Sequence, residues 1–308
     1  MLIAGPNLTI DRTSTIPALR PGEVLRLADV VVTPGGKGLN VARAARALGV
    51  PAMLVAFLPG RTGRATGELI AAEGVRLAGV TVDGEIRSTA IIIEAGGRAT
   101  VLNEPGPPLA HEDWMAYEAA VGAALDEHGV LVCSGSLPPE APDDGYGRLV
   151  RRAHASAVPA VVDANGPALR AALGNAVDVV TPNLAEAEGL LHGRADEAVE
   201  ASSDARPRSE AAALALVDAG ARAAIVTAAA AGAAVAAGTE ATWVPAPRVD
   251  EVRNPIGAGD VLTAAVAAAI EEGAEVVEAA RRGVAAAAAS VEAPLAGDLR
   301  VSRMGEFL

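Results

Sequence analysis

The chain has 308 residues, 51% of them hydrophobic and 20% charged, which is ample for a large buried core and excludes a disordered or fibrous chain. Its 38 acidic and 25 basic residues give a net charge of −13, which repels phosphate backbones and anionic lipid and argues against a nucleic-acid or membrane partner. Aromatic residues make up only 2%, too few for the stacking platforms that bind single-stranded nucleic acid, and leave the core to Ala, Val, Leu and Ile.

In chain order, short apolar runs of β type alternate with Ala-rich helical stretches. Leu2–Ala4 predicts a first strand. A break follows over about residues 12–33, with Pro17, Pro21 and Gly22 as turn signals and strand-like stretches at Val24–Leu27 and Val30–Thr33. A helix over Leu39–Leu48, a strand over Ala52–Phe57 and a helix over Thr66–Glu73 come next. A second break, about residues 86–103, has a hairpin signature: Thr89–Ile93 and Ala99–Leu102 flank Gly96 and Gly97. Strands at Val130–Cys133, Ala160–Asp163, Val177–Thr181 and Ala223–Thr227 then alternate with helices at Glu112–Glu127, Gly145–Ala155, Leu184–Leu191 and Glu210–Ala219. Two further helices, Gly259–Glu271 and Glu275–Val291, close the pattern, and the polar stretch Ala195–Arg208 reads as a surface loop. The alternation predicts right-handed βαβ units in a three-layer α/β fold, a mostly parallel sheet with helices on both faces. The expectation is a single domain over residues 1–308, with the two irregular segments forming a small β lid.

Cys133 is the one cysteine, which excludes an intramolecular disulfide and a cysteine-cluster metal site. Met1–Ile10 lacks the basic start of a signal peptide, and no apolar run of about 18 residues is free of charge. The expected location is the cytoplasm.

Of the 25 basic residues all but one are arginine, and the exception, Lys37, stands in Gly35-Gly36-Lys37-Gly38-Leu39-Asn40 at the start of a predicted helix. Glycines let a ligand reach the backbone, the lysine supplies a compact charge, and Asn40 supplies an amide that donates and accepts. The alternative is a strand-to-helix turn with a solvated lysine. Asn254-Pro255-Ile256-Gly257-Ala258-Gly259-Asp260 also opens a helix, whose free N–H groups and dipole favour an anion beside Asp260 as a general base. Read alone, it is equally a turn with an acidic residue matched to the helix dipole. Asp11 follows the first strand, where open α/β sheets bind ligands; by itself it is as well a surface turn residue. Asn183 and Glu186 lie three apart at a helix start, suited to holding Mg²⁺ through waters, although on this spacing alone they read first as a helix cap. The four histidines share no metal-ligand spacing, and Ser134-Gly135-Ser136 lacks the elbow of a nucleophilic serine.

In their order along the chain, Asp11, GGKGLN, Ser134-Gly135-Ser136-Leu137-Pro138-Pro139, Pro182-Asn183-Leu184-Ala185-Glu186 and GAGD resemble the ribokinase-like (PfkB) carbohydrate kinases over nearly the whole length. SGSLPP and GGKGLNVARAARALG look most like the phosphosugar branch of 1-phosphofructokinases, tagatose-6-phosphate kinases and the minor 6-phosphofructokinase. The resemblance implies that Asp260 is the base and that Gly257, Ala258 and Gly259 form the anion hole. It implies that Asp11, Gly36 and Asn40 hold sugar hydroxyls, with Lys37, Arg87, Arg26 and Ser136 as candidates at the substrate anion. It implies Asn183 and Glu186 at Mg²⁺, and Thr227 and Gly232, with Asn183, Gly257 and Gly259, at ATP. Val249–Asn254 and Ala293–Gly297 would flank the adenine. Three positions depart from the family pattern, all on the nucleotide side: Thr181 in place of Lys, Ala229 in place of Gly, and Pro255 in place of Thr or Ser. The implied function is ATP-dependent phosphorylation of a sugar phosphate, most simply a ketohexose phosphate. The alternatives are a kinase of a free sugar or nucleoside, or a sugar-phosphate binder with weak kinase activity. Apolar lid positions such as Ile91 and Ile93 make a homodimer through the lid the expectation.

Overall fold

The computed structural model describes residues 1–96, 98–193, 199–200 and 202–308. In chain order come β1 (Leu2–Ala4), β2 (Thr9–Ile16), β3 (Val31–Gly35), α1 (Lys37–Ala47), β4 (Met53–Pro59), α2 (Gly60–Ala72), β5 (Arg76–Val82), β6 (Arg87–Glu94) and β7 (Ala99–Asn103). They are followed by α3 (His111–Ala124), β8 (Leu131–Ser134), α4 (Gly145–Ala155), β9 (Ala160–Asp163), α5 (Gly166–Leu173), β10 (Val179–Val180), α6 (Leu184–His192) and α7 (Ala205–Asp218). The chain ends with β11 (Ala223–Thr227), β12 (Gly232–Ala237), β13 (Glu240–Pro245), α8 (Ala258–Glu271), α9 (Val276–Val291) and α10 (Val301–Phe307).

Nine strands form one sheet in the order β13-β12-β11-β10-β9-β8-β1-β4-β5, parallel from β11 to β5 and antiparallel at the β12 and β13 edge. Side chains alternate across a strand, so β1 sends Leu2 and Ala4 to one face and Ile3 to the other. Leu2 and Ala4 join Val55, Leu131 and Cys133 under α3 to α7, whereas Ile3 joins Leu54 and Val132 under α1, α2 and α8 to α10. Covering both faces is why the central strands are unbroken apolar runs. Each fully buried Leu, Ile or Val there contributes about 1.5–3 kcal/mol. Three of the six aromatics pack together: Phe57, Trp114 and Tyr117 meet ring to ring, with centroids 4.7 Å apart for Phe57–Tyr117 and 5.2 Å for Trp114–Tyr117.

A second sheet of four strands, β3-β2-β6-β7, stands apart from the first. The hairpin expected near residues 86–103 is β6 and β7, antiparallel with Thr89 opposite Asn103 and Ile93 opposite Ala99. Gly97 lies outside the described residues. The other half of this sheet differs from expectation. Val24–Leu27 forms no strand, and Val24 is 83% exposed. The strand is instead Thr9–Ile16, paired with β3 on one side and β6 on the other. Its sequence TIDRTSTI is polar and β-branched, so pairing on both edges rather than apolar alternation holds it. Asp11 is therefore an interior residue of β2, not a turn residue after β1.

Further differences have local causes. Of the stretch read as a surface loop, 195–198 and 201 lie outside the described residues, and Ala205–Arg208 opens α7. Its charges are helix pairs: Arg206 Nε donates to Glu210 at 2.9 Å and Arg208 Nε to Glu188 at 2.8 Å. The Ala-rich run Gly232–Ala237 is a buried edge-hairpin strand, where small side chains fit beneath α7 and α9.

Candidate active site

The carboxyl ends of β1, β8 and β9 open into a cavity of about 650 Å³, lined by Gly36, Lys37, Arg87 and Ser136 among others. Backbone packing brings the start of α1 to this place. A Cβ on Gly38 would lie 2.6 Å from Gly5 Cα, so helix and strand touch main chain to main chain. Gly36 has φ +117°, the left-handed region, and turns β3 into α1.

Lys37 Nζ lies 3.3 Å from Asp163 Oδ1 and 3.2 Å from Glu186 Oε1, and its side chain remains 40% exposed. Burial alone would favour its neutral form, but the carboxylates of Asp163, Glu186 and Asp260 hold it charged, above the ordinary lysine range. The anions nearest this lysine are thus the protein's own. Asp163 was not singled out by the sequence, yet it bears a signal: a carboxylate ending the buried apolar run Ala160–Asp163.

Asp260 lies in the first turn of α8 and is 5% exposed. Asn40 Nδ2 donates to its Oδ2 at 2.8 Å. Burial pushes the Asp260 carboxyl up to about 7; the Lys37 charge and the Asn40 hydrogen bond pull it down, and Asp163 and Glu186 push it up. Gly257 precedes the helix with φ +86°, and a Cβ there would meet Gly297 N at 3.1 Å and Asn40 Nδ2 at 3.4 Å. The Gly257 turn, the Gly297 loop and α1 converge on this point.

The small sheet contributes from the other side. Asp11 Oδ1 is buried without a hydrogen-bond partner, and Asp11 Oδ2 lies where a Cβ on Gly35 would fall, 2.1 Å away. Burial raises the Asp11 carboxyl above the ordinary range against the pull of Arg87 and Arg43. Arg87 Nη2 and Nε donate to the Asn7 carbonyl at 3.1 and 3.3 Å, and Ser136 Oγ accepts from Asn7 Nδ2 at 3.0 Å. Arg26 is not brought in: it stands exposed between β2 and β3 and lines neither cavity.

A second cavity, about 500 Å³, is walled by Asn183, Thr227, Gly232, Ala258 and Gly259 and by apolar Val249, Val252, Leu262 and Val291. Gly232 has φ +132°, and a Cβ there would meet Val244 O at 2.3 Å, so only glycine fits. Asn254 Nδ2 donates to Pro294 O at 3.2 Å and ties the two segments expected at the adenine. Asn183 and Glu186 cap α6 reciprocally: Asn183 Oδ1 accepts from Glu186 N at 2.7 Å, and Asn183 N donates to Glu186 Oε2 at 3.1 Å. With Lys37 on Oε1, both Glu186 oxygens already take an N–H donor. Among the described residues no group of three or more His, Cys, Asp or Glu could hold a metal directly. All three departures from the family pattern are on this side. Thr181 is buried and shares a 2.9 Å hydroxyl hydrogen bond with Thr263, Ala229 has φ +42°, and Pro255 lines the cavity.

A model of the pfkB family carbohydrate kinases matches residues 7–301. The chain belongs to this family. The kinase is similar to phosphofructokinase-2 from Escherichia coli, solved in complex with fructose-6-phosphate: 27% identity, covering 100% of this chain and 97% of that one, TM-score 0.84. It shares its fold with a possible 1-phosphofructokinase from Thermotoga maritima, at 24% identity, 99% and 96% coverage and TM-score 0.85. It shares it also with a ribokinase from Arabidopsis thaliana complexed with ribose and ATP, at 20% identity, 99% and 97% coverage and TM-score 0.76. The ribokinase-like three-layer architecture is thus that of a carbohydrate kinase. No helix among the described residues is long and apolar enough to cross a membrane.

Proposed function

We infer that this kinase transfers the γ-phosphoryl group of ATP to a hydroxyl of a sugar phosphate, a ketohexose phosphate, with Asp260 as the base. The observation that carries the reading is Asp260 itself: a buried carboxyl pushed up to about 7, hydrogen-bonded by Asn40, beside Gly259 on the wall of one cavity and within the field of the Lys37 charge on the wall of the other. A base with that affinity is poised to take a hydroxyl proton near neutral pH and is in its charged, proton-accepting form above about pH 7. The first cavity would hold the acceptor, its hydroxyls on Asp11, Gly36 and Asn40; the unpartnered Asp11 Oδ1 supports this. Arg87 and Ser136 would meet the acceptor's phosphate, as a cation and a hydroxyl on one cavity wall. The second cavity would hold the nucleotide between Thr227, Gly232 and the apolar wall. The α8 N–H groups at Gly257, Ala258 and Gly259 would face the transferring group. Asn183 and Glu186 would orient the waters of Mg²⁺, which when bound neutralises phosphate charge. The four-stranded sheet carries Asp11 and Arg87, which supports its reading as a lid that excludes water and hydrolysis. Its exposed Val31 and Leu102 support pairing with a second copy. ATP and phosphosugar use fit a cytoplasmic location.

The test is an ATP and Mg²⁺ assay across fructose 1-phosphate, fructose 6-phosphate, tagatose 6-phosphate, fructose, ribose and adenosine. The expected result is kcat/KM about 10- to 150-fold higher on a phosphorylated ketohexose, because a charged anchor adds about 1.5–3 kcal/mol. Preference for an unphosphorylated acceptor overturns the substrate class. The left-handed Ala229 and the Thr181 substitution favour one second reading, a sugar-phosphate binder with slow turnover. Calorimetry that detects the sugar phosphate but no ATP would support it.

A further inference from the structure

Arg43 lies one turn beyond Asn40 on α1, within the GGKGLNVARAARALG stretch but at a position to which the family reading gave no role. Its guanidinium is held first from outside: Nε donates to Glu73 Oε2 and Nη2 to Glu73 Oε1, each at 2.7 Å, a bidentate clamp from the end of α2. The same Nη2 donates to the Pro34 carbonyl of β3 at 2.9 Å, and Nη1 donates to Asn40 Oδ1 at 3.2 Å. Asn40 spends its other end on Asp260, through Nδ2 at 2.8 Å. Only one orientation of the Asn40 amide satisfies both neighbours. Turned over, it would set its NH₂ against the guanidinium and its oxygen against the carboxyl. The Arg43 side chain is 17% exposed, so little water reaches it to replace these contacts.

We propose that Arg43 is a positioning residue for phosphoryl transfer: clamped by Glu73, it fixes the Asn40 amide so that its NH₂ faces Asp260, and it ties β3 of the small sheet to that alignment. It lines neither cavity and reaches Asp260 through Asn40. The inference rests on the roles given to Asn40 and Asp260 under the proposed function.

A double-mutant cycle tests it, with kcat/KM for the preferred acceptor measured at saturating ATP for Arg43→Met, Asn40→Ala and the pair. Each single change is expected to lower kcat/KM by on the order of tenfold or more, with KM for ATP unchanged. The pair should fall no more than about twofold below Asn40→Ala, because the second change removes a support whose object is already gone. A merely structural arginine gives independent losses, so a pair equal to the product of the singles overturns the proposal while leaving Asn40 in place. An Asn40→Ala enzyme with wild-type kinetics overturns the reading of Asn40, and this proposal with it. Arg43→Lys serves if Arg43→Met does not fold. It keeps a cation and an alkyl stem, but one ammonium cannot serve Glu73, Pro34 and Asn40 together, so it should show the same non-additivity.

Discussion

Lys37 Nζ sits 3.2 Å from Glu186 Oε1 across 149 positions of sequence, joining the start of α1 to the start of α6. The same ammonium reaches Asp163, so one cation separates carboxylates that would otherwise repel. Lys37→Met is expected to lower kcat/KM for the acceptor. It should also lower stability by about 1–2 kcal/mol, a figure reduced for the partial exposure of the lysine. Lys37→Arg should restore stability better than turnover, because a planar guanidinium does not fit where glycines leave room for a point charge. Urea melts beside acceptor titrations check both; kinetics unchanged in Lys37→Met would remove the residue from the site.

Asp260→Asn is expected to cut kcat at least ~10²-fold with acceptor affinity within a few-fold, since the base acts in the transition state. Turnover near that of the parent enzyme defeats the assignment.

The same group sets a pH dependence whose sign follows from its raised affinity for a proton. Below about pH 4 the folded and unfolded chains both hold that proton, and Asp260 makes no difference to stability. Between about pH 4 and 7 the unfolded chain releases it and the folded chain keeps it, so stability from this residue falls as pH rises through that window. Asp260→Asn should therefore melt higher than the parent at pH 8, and the gap should close towards pH 4. In the parent, kcat/KM should drop as pH falls below about 7. Parallel melting curves at the two pH values, with no closing gap, would contradict this.

Ala229 holds φ +42°, a conformation that costs an alanine about 1–2 kcal/mol and a glycine little. Ala229→Gly should raise stability by about 0.5–1 kcal/mol after the greater freedom of the unfolded glycine is set against it. ATP affinity should rise or hold. Chemical denaturation and calorimetry measure the two; a clear loss of stability would mean that the loop relaxes otherwise.

Val31 is 59% exposed and Leu102 58%, at the outer strands of the small sheet. If that face pairs two copies, Val31→Glu with Leu102→Glu should shift sedimentation from dimer to monomer and leave the melt of the main sheet in place. A parent chain that sediments as a monomer rules out this interface.

Much of this was legible in the sequence, for identifiable reasons. Parallel strands buried on both faces must be apolar throughout, so β1, β8, β9 and β11 stood out, and glycines beside Lys37 and Asp260 marked backbone that must be approached closely. What escaped notice was held by partners far off in sequence. The polar strand β2 exists because β3 and β6 bond both its edges, and Ala233–Ala236, a run with no local strand signal, are strand because β11 and β13 bond both edges. Asp163 joins the site through Lys37, 126 positions away, and the role of Arg43, although it sits one turn from Asn40, shows only once Glu73, 30 positions on, clamps it.

Gly5 and Gly38 touch main chain to main chain, and neither position has room for so much as a methyl group. Helix α1 is thereby locked to β1 in one alignment, and descendants of this gene cannot adjust it by gradual substitution. A lineage that acquires a new acceptor has to do so elsewhere, at side chains on the cavity wall such as Ser136, Arg87 and Asn103. Selection for altered substrate range should accumulate changes there while the glycine pair stays invariant.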